Sequence, residues 1–291
     1  MAVTDVVSPR DASEFIFLKI EDARFGQWMV SSNIYHDNSS LFVFLSPLAE
    51  TDKYPGAGTH YFSPIPGSAS FNIVDASPEF GDMEAGLKID HLFSKTEVSL
   101  MTGHFYANSL VYETNESTDV HETYPAYNMV GMAVSHAFEP ILMKMELAFK
   151  KGFFLQGMDA GGVFLSLESD IMDGAAGIEY NANGAYFMSL ELSNRHIFSD
   201  RTSLVQSQQD STSLYYTLTK DFRHATLALE YNFYYHIQNQ NRFHNFQSTY
   251  DLTDAIEIQA RYTLLNVTDS QSLMWAYKDE DRVAMEIRFA F

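Results

Sequence analysis

The chain has 291 residues, 38 acidic and 18 basic, and its formal charge of −20 argues against nucleic acid or an anionic membrane surface as a partner. It holds no cysteine, which removes disulfides, thiol chemistry and zinc–thiolate sites. Mean hydropathy is −0.17 and no apolar run approaches the roughly 18 residues of a helical span, so a helical membrane protein is excluded.

From the N-terminus, Met1-Ala2-Val3-Thr4 has neither a basic nor an apolar leader region, so the chain is expected to be a mature or recombinant form without a signal peptide. Residues 1–27 read as a separate N-terminal segment. Either Ser8-Pro9-Arg10-Asp11 caps a short helix carrying Phe15, Phe17 and Leu18 that could plug a lumen, or Glu14–Ile20 is a first strand. Residues 28–291 read as one unit of alternating strands and turns. Strands are expected at 28–36 and 40–48, followed by a long loop at 49–81.

Five of the eight prolines lie just before or within that loop (Pro47, Pro55, Pro64, Pro66, Pro78), with Tyr54, Tyr61, Phe62 and Phe71 among them. Fixed φ angles and interspersed rings suggest an ordered loop, and Tyr54, Pro55, Tyr61 and Phe62 are its candidate constriction residues. Further strands follow at 82–92, 96–108, 127–138, 140–151, 167–181, 184–198, 211–221, 225–237, 243–252, 255–267 and 282–291. Long connections are expected at 109–126, 152–166, 199–210 and 268–281. Short ones are expected near 37–38, 93–95, 139–140, 181–184, 221–223 and 253–254.

The last strand is the clearest. Val283, Met285, Ile287, Phe289 and Phe291 share one face, with Ala284, Glu286, Arg288 and Ala290 on the other. A strand with one apolar and one charged face suits lipid on one side and water on the other. Repetition of this pattern, with loops segregated by length, predicts an all-β, antiparallel transmembrane β-barrel of about 14 strands, with 12–16 compatible. Short turns are then periplasmic and long loops extracellular.

The polar face gives the candidate lumen-lining set: Glu84, Lys88, Asp90, Glu97, Lys144, Glu146, Lys150, Asp173, Glu179, Glu191, Arg195, Glu230, Glu257, Arg261, Glu286 and Arg288. Acids outnumber bases, so an open bore should prefer cations. The alternative role for these charges is to pair across strands and fill a narrow bore. Lys144, Lys150, Arg195, Arg261 and Arg288 could also form a basic ladder on one wall.

No catalytic residues are proposed. Ser135-His136 are strand neighbours that point to opposite faces, and the histidines lack metal-ligand spacing. No metal and no cofactor are expected. Asp170–Gly174 does not match a calcium loop, and the 13 methionines read as adaptable apolar filler.

The opening VTDVVSPRDASEFIFLKIEDARFG, the segment LFVFLSPLAETDKYPGAGTHYF and the tail Arg-Phe-x-Phe resemble an uncharacterised proteobacterial family of porin-like outer-membrane β-barrels, often encoded near lipid-type exporters. The terminal Phe289 and Phe291 resemble the signal read by the barrel assembly machinery. The resemblance implies a barrel in the outer membrane of a Gram-negative bacterium, among lipids and lipopolysaccharide. It also implies handling of lipid-like molecules and a periplasmic exporter system as a partner. The function expected is a channel passing small solutes or hydrophobic compounds. The alternatives are a closed structural or export-partner barrel and, third, a lipid-modifying enzyme.

Overall fold

A two-residue period sends successive side chains to opposite faces of a sheet. Here it does so over thirteen antiparallel strands joined as consecutive hairpins, in a computed structural model describing residues 8–13, 24–54, 72–74, 81–114, 119–159, 163–182, 186–199, 204, 208–222, 226–269 and 272–290. The strands in chain order are β1 (Val30–His36), β2 (Ser39–Ser46), β3 (Asn72–Val74), β4 (Glu84–Phe93), β5 (Thr96–Tyr106), β6 (Val111–Thr114), β7 (Asp119–Thr123) and β8 (Ala126–Phe138). They continue as β9 (Ile141–Met158), β10 (Phe164–Asn181), β11 (Tyr186–Ile197), β12 (Asp210–Phe222), β13 (Leu227–His236), β14 (Arg242–Thr253), β15 (Ile256–Asn266) and β16 (Arg282–Phe289).

The main sheet runs β1-β2-β4-β5-β8-β9-β10-β11-β12-β13-β14-β15-β16, and β3, β7 and β6 form a separate three-stranded sheet. Its thirteen strands correspond one for one to those read from the sequence. The further strand or helix expected at 14–20 lies outside the described residues. Among the described residues β1 and β16 are the two edges of the sheet. Because direction alternates, thirteen strands leave both edges running the same way.

The shortest connections lie at one end: two-residue turns at 37–38, 94–95, 139–140 and 254–255, and four-residue connections at 182–185 and 223–226. Asp37 and Ser94 take φ of 49° and 58°, the positive values two-residue hairpins require. The opposite end carries the connections 47–83, 107–125, 159–163, 198–209, 237–241 and 267–281. One expectation fails here. The loop placed at 152–166 is mostly strand, since β9 continues to Met158 and β10 begins at Phe164. A bulge explains the miss: Gly152 has φ of 72°, and the β9–β10 register shifts between Ser169 and Ile171. An inserted residue inverts the alternation that marks a strand.

The projecting β9–β10 hairpin carries the small sheet. The Tyr112 amide donates to Gln156 Oε1 (2.7 Å), Gln156 Nε2 returns a bond to the Tyr112 carbonyl (3.0 Å), and the Phe164 amide donates to Thr114 Oγ1 (3.1 Å). The N-terminal segment is tied to the same end. The Arg10 amide donates to Asp52 Oδ1 (2.7 Å), the Lys53 amide to the Arg10 carbonyl (2.9 Å) and the Ala12 amide to the Lys53 carbonyl (2.8 Å).

Candidate functional site

Strand register sorts the side chains into two faces of opposite character. Paired residues share a face, and the pairings place all sixteen candidate lumen residues on the same one, here called inner. Buried residues of the main sheet also lie on this face, apart from Phe164, which Tyr112 of the small sheet covers at a ring separation of 6.4 Å. Register adds Asp221, Asp251 and Arg282 to the charged inner set.

The inner face has two walls. Over β2 to β10 it is a packed aromatic cluster of Phe42, Phe44, Met101, Phe105, Tyr127, Met129 and Phe153. Gly86 makes room for it, because a Cβ there would meet the Phe44 ring at 2.6 Å. Beside the cluster, Asp173 receives Arg195 Nε at 2.6 Å and Lys150 Nζ at 2.8 Å, while the Lys150 ammonium lies 5.8 Å from the Phe153 ring centre and 6.0 Å from that of Tyr127. Lys150 and Asp173 are buried, with side-chain exposures of 7% and 6%. Glu84 is buried as well, accepting from Gln27 Nε2 (2.7 Å) and the Tyr106 amide (3.0 Å). These three groups are therefore interior anchors. The energetic reason is that a charge removed from water persists only where opposite charge or donors compensate it.

Over β11 to β15 the inner face is hydroxyl- and amide-rich. Tyr215 and Tyr234 meet with ring centres 5.0 Å apart, and Ser213 Oγ donates to the Tyr234 hydroxyl (3.2 Å). Thr217 donates to Asn232 Oδ1 (2.8 Å), and Gln259 Nε2 donates to Thr249 Oγ1 (3.3 Å). Several other inner charges pair locally: Lys88 with Asp90 (2.8 Å), Lys144 with Glu179 (2.5 Å), and Arg288 with Glu286 (2.7 Å) and Glu257 (3.5 Å). No continuous basic ladder results, because Lys144, Lys150 and Arg195 sit on β9 and β11 while Arg261 and Arg288 sit on β15 and β16. Neither the aromatic cluster nor the Tyr215–Tyr234 pair is among the residues singled out from sequence, because rings on the inward phase carry no charge to mark them. Carrying the two-residue phase from Glu97 to Phe105 would have found the first.

The outer face is apolar and exposed. Leu100, Val130, Met143, Met145, Leu190, Leu192, Met285 and Ile287 are all exposed, forming an aliphatic band across the strands. Aromatic belts bracket it: Phe93, Phe138, Tyr180, Tyr186, Phe222 and Phe289 toward the short turns, and Tyr106, Phe149, Phe198, Phe233 and Tyr235 toward the long connections. Between Tyr186 and Phe198 the chain advances by about 40 Å at ~3.4 Å per residue. At a strand tilt of about 45° this spans roughly 28 Å, the height of a barrel's apolar band with its girdles.

Of the constriction residues, Tyr54 is described, at the long-connection end just after Asp52 and Lys53; Pro55, Tyr61 and Phe62 lie outside the described residues. Phe289 is on the outer face, 62% exposed, and Phe291 lies outside the described residues. Ser135 and His136 occupy opposite faces, and His136 bonds instead to Thr96 (2.6 Å).

No protein-family model matches the chain, and no curated protein matches it. Solved structures similar to it include the FrpB iron transporter from Neisseria meningitidis, at 8% identity over 90% of this chain and 44% of that one, with a TM-score of 0.49. The chain thus spans less than half the length of that transporter. The Pseudomonas putida toluene transporter TodX is similar at 11% identity over 82% of this chain and 77% of that one (TM-score 0.36). The outer-membrane expressed OmpT of Vibrio cholerae is similar at 9% identity over 89% of this chain and all of that one (TM-score 0.34).

Proposed function

We propose that this chain is an outer-membrane β-barrel whose inner face serves the passage of small solutes or hydrophobic compounds. The observation that carries this reading is the pair of faces: an exposed aliphatic band between two aromatic belts on one side, charges, hydroxyls and amides on the other. An apolar surface of that extent is unstable in water, whereas lipid solvates it. In hydrocarbon the edges β1 and β16 also need partners for their backbone groups. With both edges running the same way, they meet as a parallel seam or receive one strand antiparallel to both.

Among the described strand residues the inner face carries more carboxylates than cations, and a low-dielectric wall amplifies such an excess. The passage therefore favours cations and neutral solutes over anions. Insertion into planar bilayers tests this: conductance steps with a cation-selective reversal potential support it. A second reading, a closed barrel acting as a structural or export partner, is favoured by the fully buried Phe105, Met129 and Ile171 on the inner face, and it predicts electrical silence.

A further inference from the structure

A groove of about 540 Å³ crosses the outer face of β12 to β16. Register explains it. Lys220, Leu229, Ser248, Ala260 and Met285 stand opposite one another in a single row. The next row toward the long connections carries Tyr231, Phe246 and Tyr262, with the Tyr231 and Phe246 rings stacked at 4.6 Å, so the shorter side chains of Ser248 and Ala260 lie beneath a tall wall. From Lys220 to Ala260 the trough covers three strand spacings, about 14 Å.

The charge at its end is the informative part. The Lys220 ammonium lies 4.9 Å from the Phe222 ring centre, within the aromatic belt near the short turns. Other Lys, Arg, Asp and Glu side chains on the outer face of the described strands (Lys151, Glu168, Asp170, Asp210, Arg242) all lie toward the long connections. A cation held at belt height, next to an apolar trough, is complementary to a molecule with a phosphate at one end and a hydrocarbon chain behind it.

We propose that this groove binds a glycerophospholipid of the leaflet facing the short turns, its phosphate on Lys220 and one acyl chain over Ser248 and Ala260. The site rests on the membrane reading given above. Phosphatidylglycerol and phosphate-free diacylglycerol, added to the detergent-solubilised chain, distinguish the roles of the two ends, with retention read by native mass spectrometry. The wild-type chain retains phosphatidylglycerol about tenfold better than diacylglycerol, the factor expected of one charge-assisted contact. Lys220→Gln removes that preference, Lys220→Arg keeps it, and Ala260→Phe, which fills the trough, lowers retention of both lipids. Leu100→Ala, on β5, changes neither. Equal retention by wild type and Lys220→Gln overturns the site. Flotation with liposomes separates the two claims: a chain that floats without Lys220-dependent retention loses the site and keeps the barrel, and a chain that does not float loses both.

Discussion

Asp173 of β10 stands directly opposite Arg195 of β11 and accepts from its guanidinium twice, at 2.6 and 3.0 Å, while Lys150 of β9 holds the same carboxylate from the other side. Three neighbouring strands are thereby joined by one anion. Asp173→Asn leaves the Lys150 ammonium buried against Tyr127 and Phe153 without its counter-charge, and should cost about 3–5 kcal/mol. Glu179→Gln, which breaks the more exposed pair with Lys144, should cost at most about 1 kcal/mol. Urea unfolding of the refolded protein in detergent measures both, and equal costs would contradict the buried role of the triad.

The outer face makes a depth-dependent prediction. Leu192 lies halfway between Tyr186 and Phe198 on β11, so Leu192→Lys should cost about 2–4 kcal/mol in a lipid bilayer. Phe222→Lys, at belt height, should lose only about 0–1 kcal/mol of lipid-solvation energy. Refolding stabilities in liposomes give the ranking. The reverse order would mean that the belts do not sit at the interfaces.

If β1 and β16 are paired in lipid, their backbone amides should be protected. Hydrogen exchange of the lipid-embedded protein is expected to be slow over Val30–His36 and Arg282–Phe289, comparable to interior strands such as β11. Rapid exchange at both edges would show an open sheet and remove the closed barrel.

The legibility of the chain followed its physics. The main-sheet strands could be read because lipid on one side and polar or packed interior on the other enforce a two-residue alternation along most of them, most clearly from β11 to β16. The reading broke down at 152–166, where the bulge at Gly152 inverts the phase. β3, β6 and β7 are too short to show a period, and β6 and β7 form where the β9–β10 hairpin supplies partners. The charged set was visible residue by residue, but its burial was not: Lys150 meets Asp173 only through the pairing of β9 with β10, and Glu84 is covered by Gln27, 57 positions away.

A pH effect should appear where the N-terminal segment meets the loop at Asp52. Burial is the main influence on Asp52 and raises its carboxyl above 3.8, against the opposing bond from the Arg10 amide; the bonds from Ser13 hold Asp11 below 3.8. A raised carboxyl favours the docked form when protonated, so the Asp52 contribution is lost as pH climbs from 3.8 through its docked value. The Asp11 shift comes chiefly from Ser13 within the same segment, so it travels with that segment and does not shape docking. Docking of 8–13 on 52–53 should therefore be tightest below pH 3.8 and loosen as pH climbs through the docked Asp52 value, and Asp52→Asn should flatten that fall. Amide exchange at Ala12 and Lys53 reports it, and a monotonic rise in protection from pH 4 to 7 would contradict it.

The reversal potential across a planar bilayer under a salt gradient tests the central claim most directly, because it reads at once whether the inner face encloses a passage and which sign of charge governs it. The carboxylate excess on that face predicts discrete conductance steps with a reversal potential on the cation-selective side, reduced by Glu230→Gln and Glu257→Gln. Anion selectivity, or no conductance from protein shown to be inserted, would contradict it.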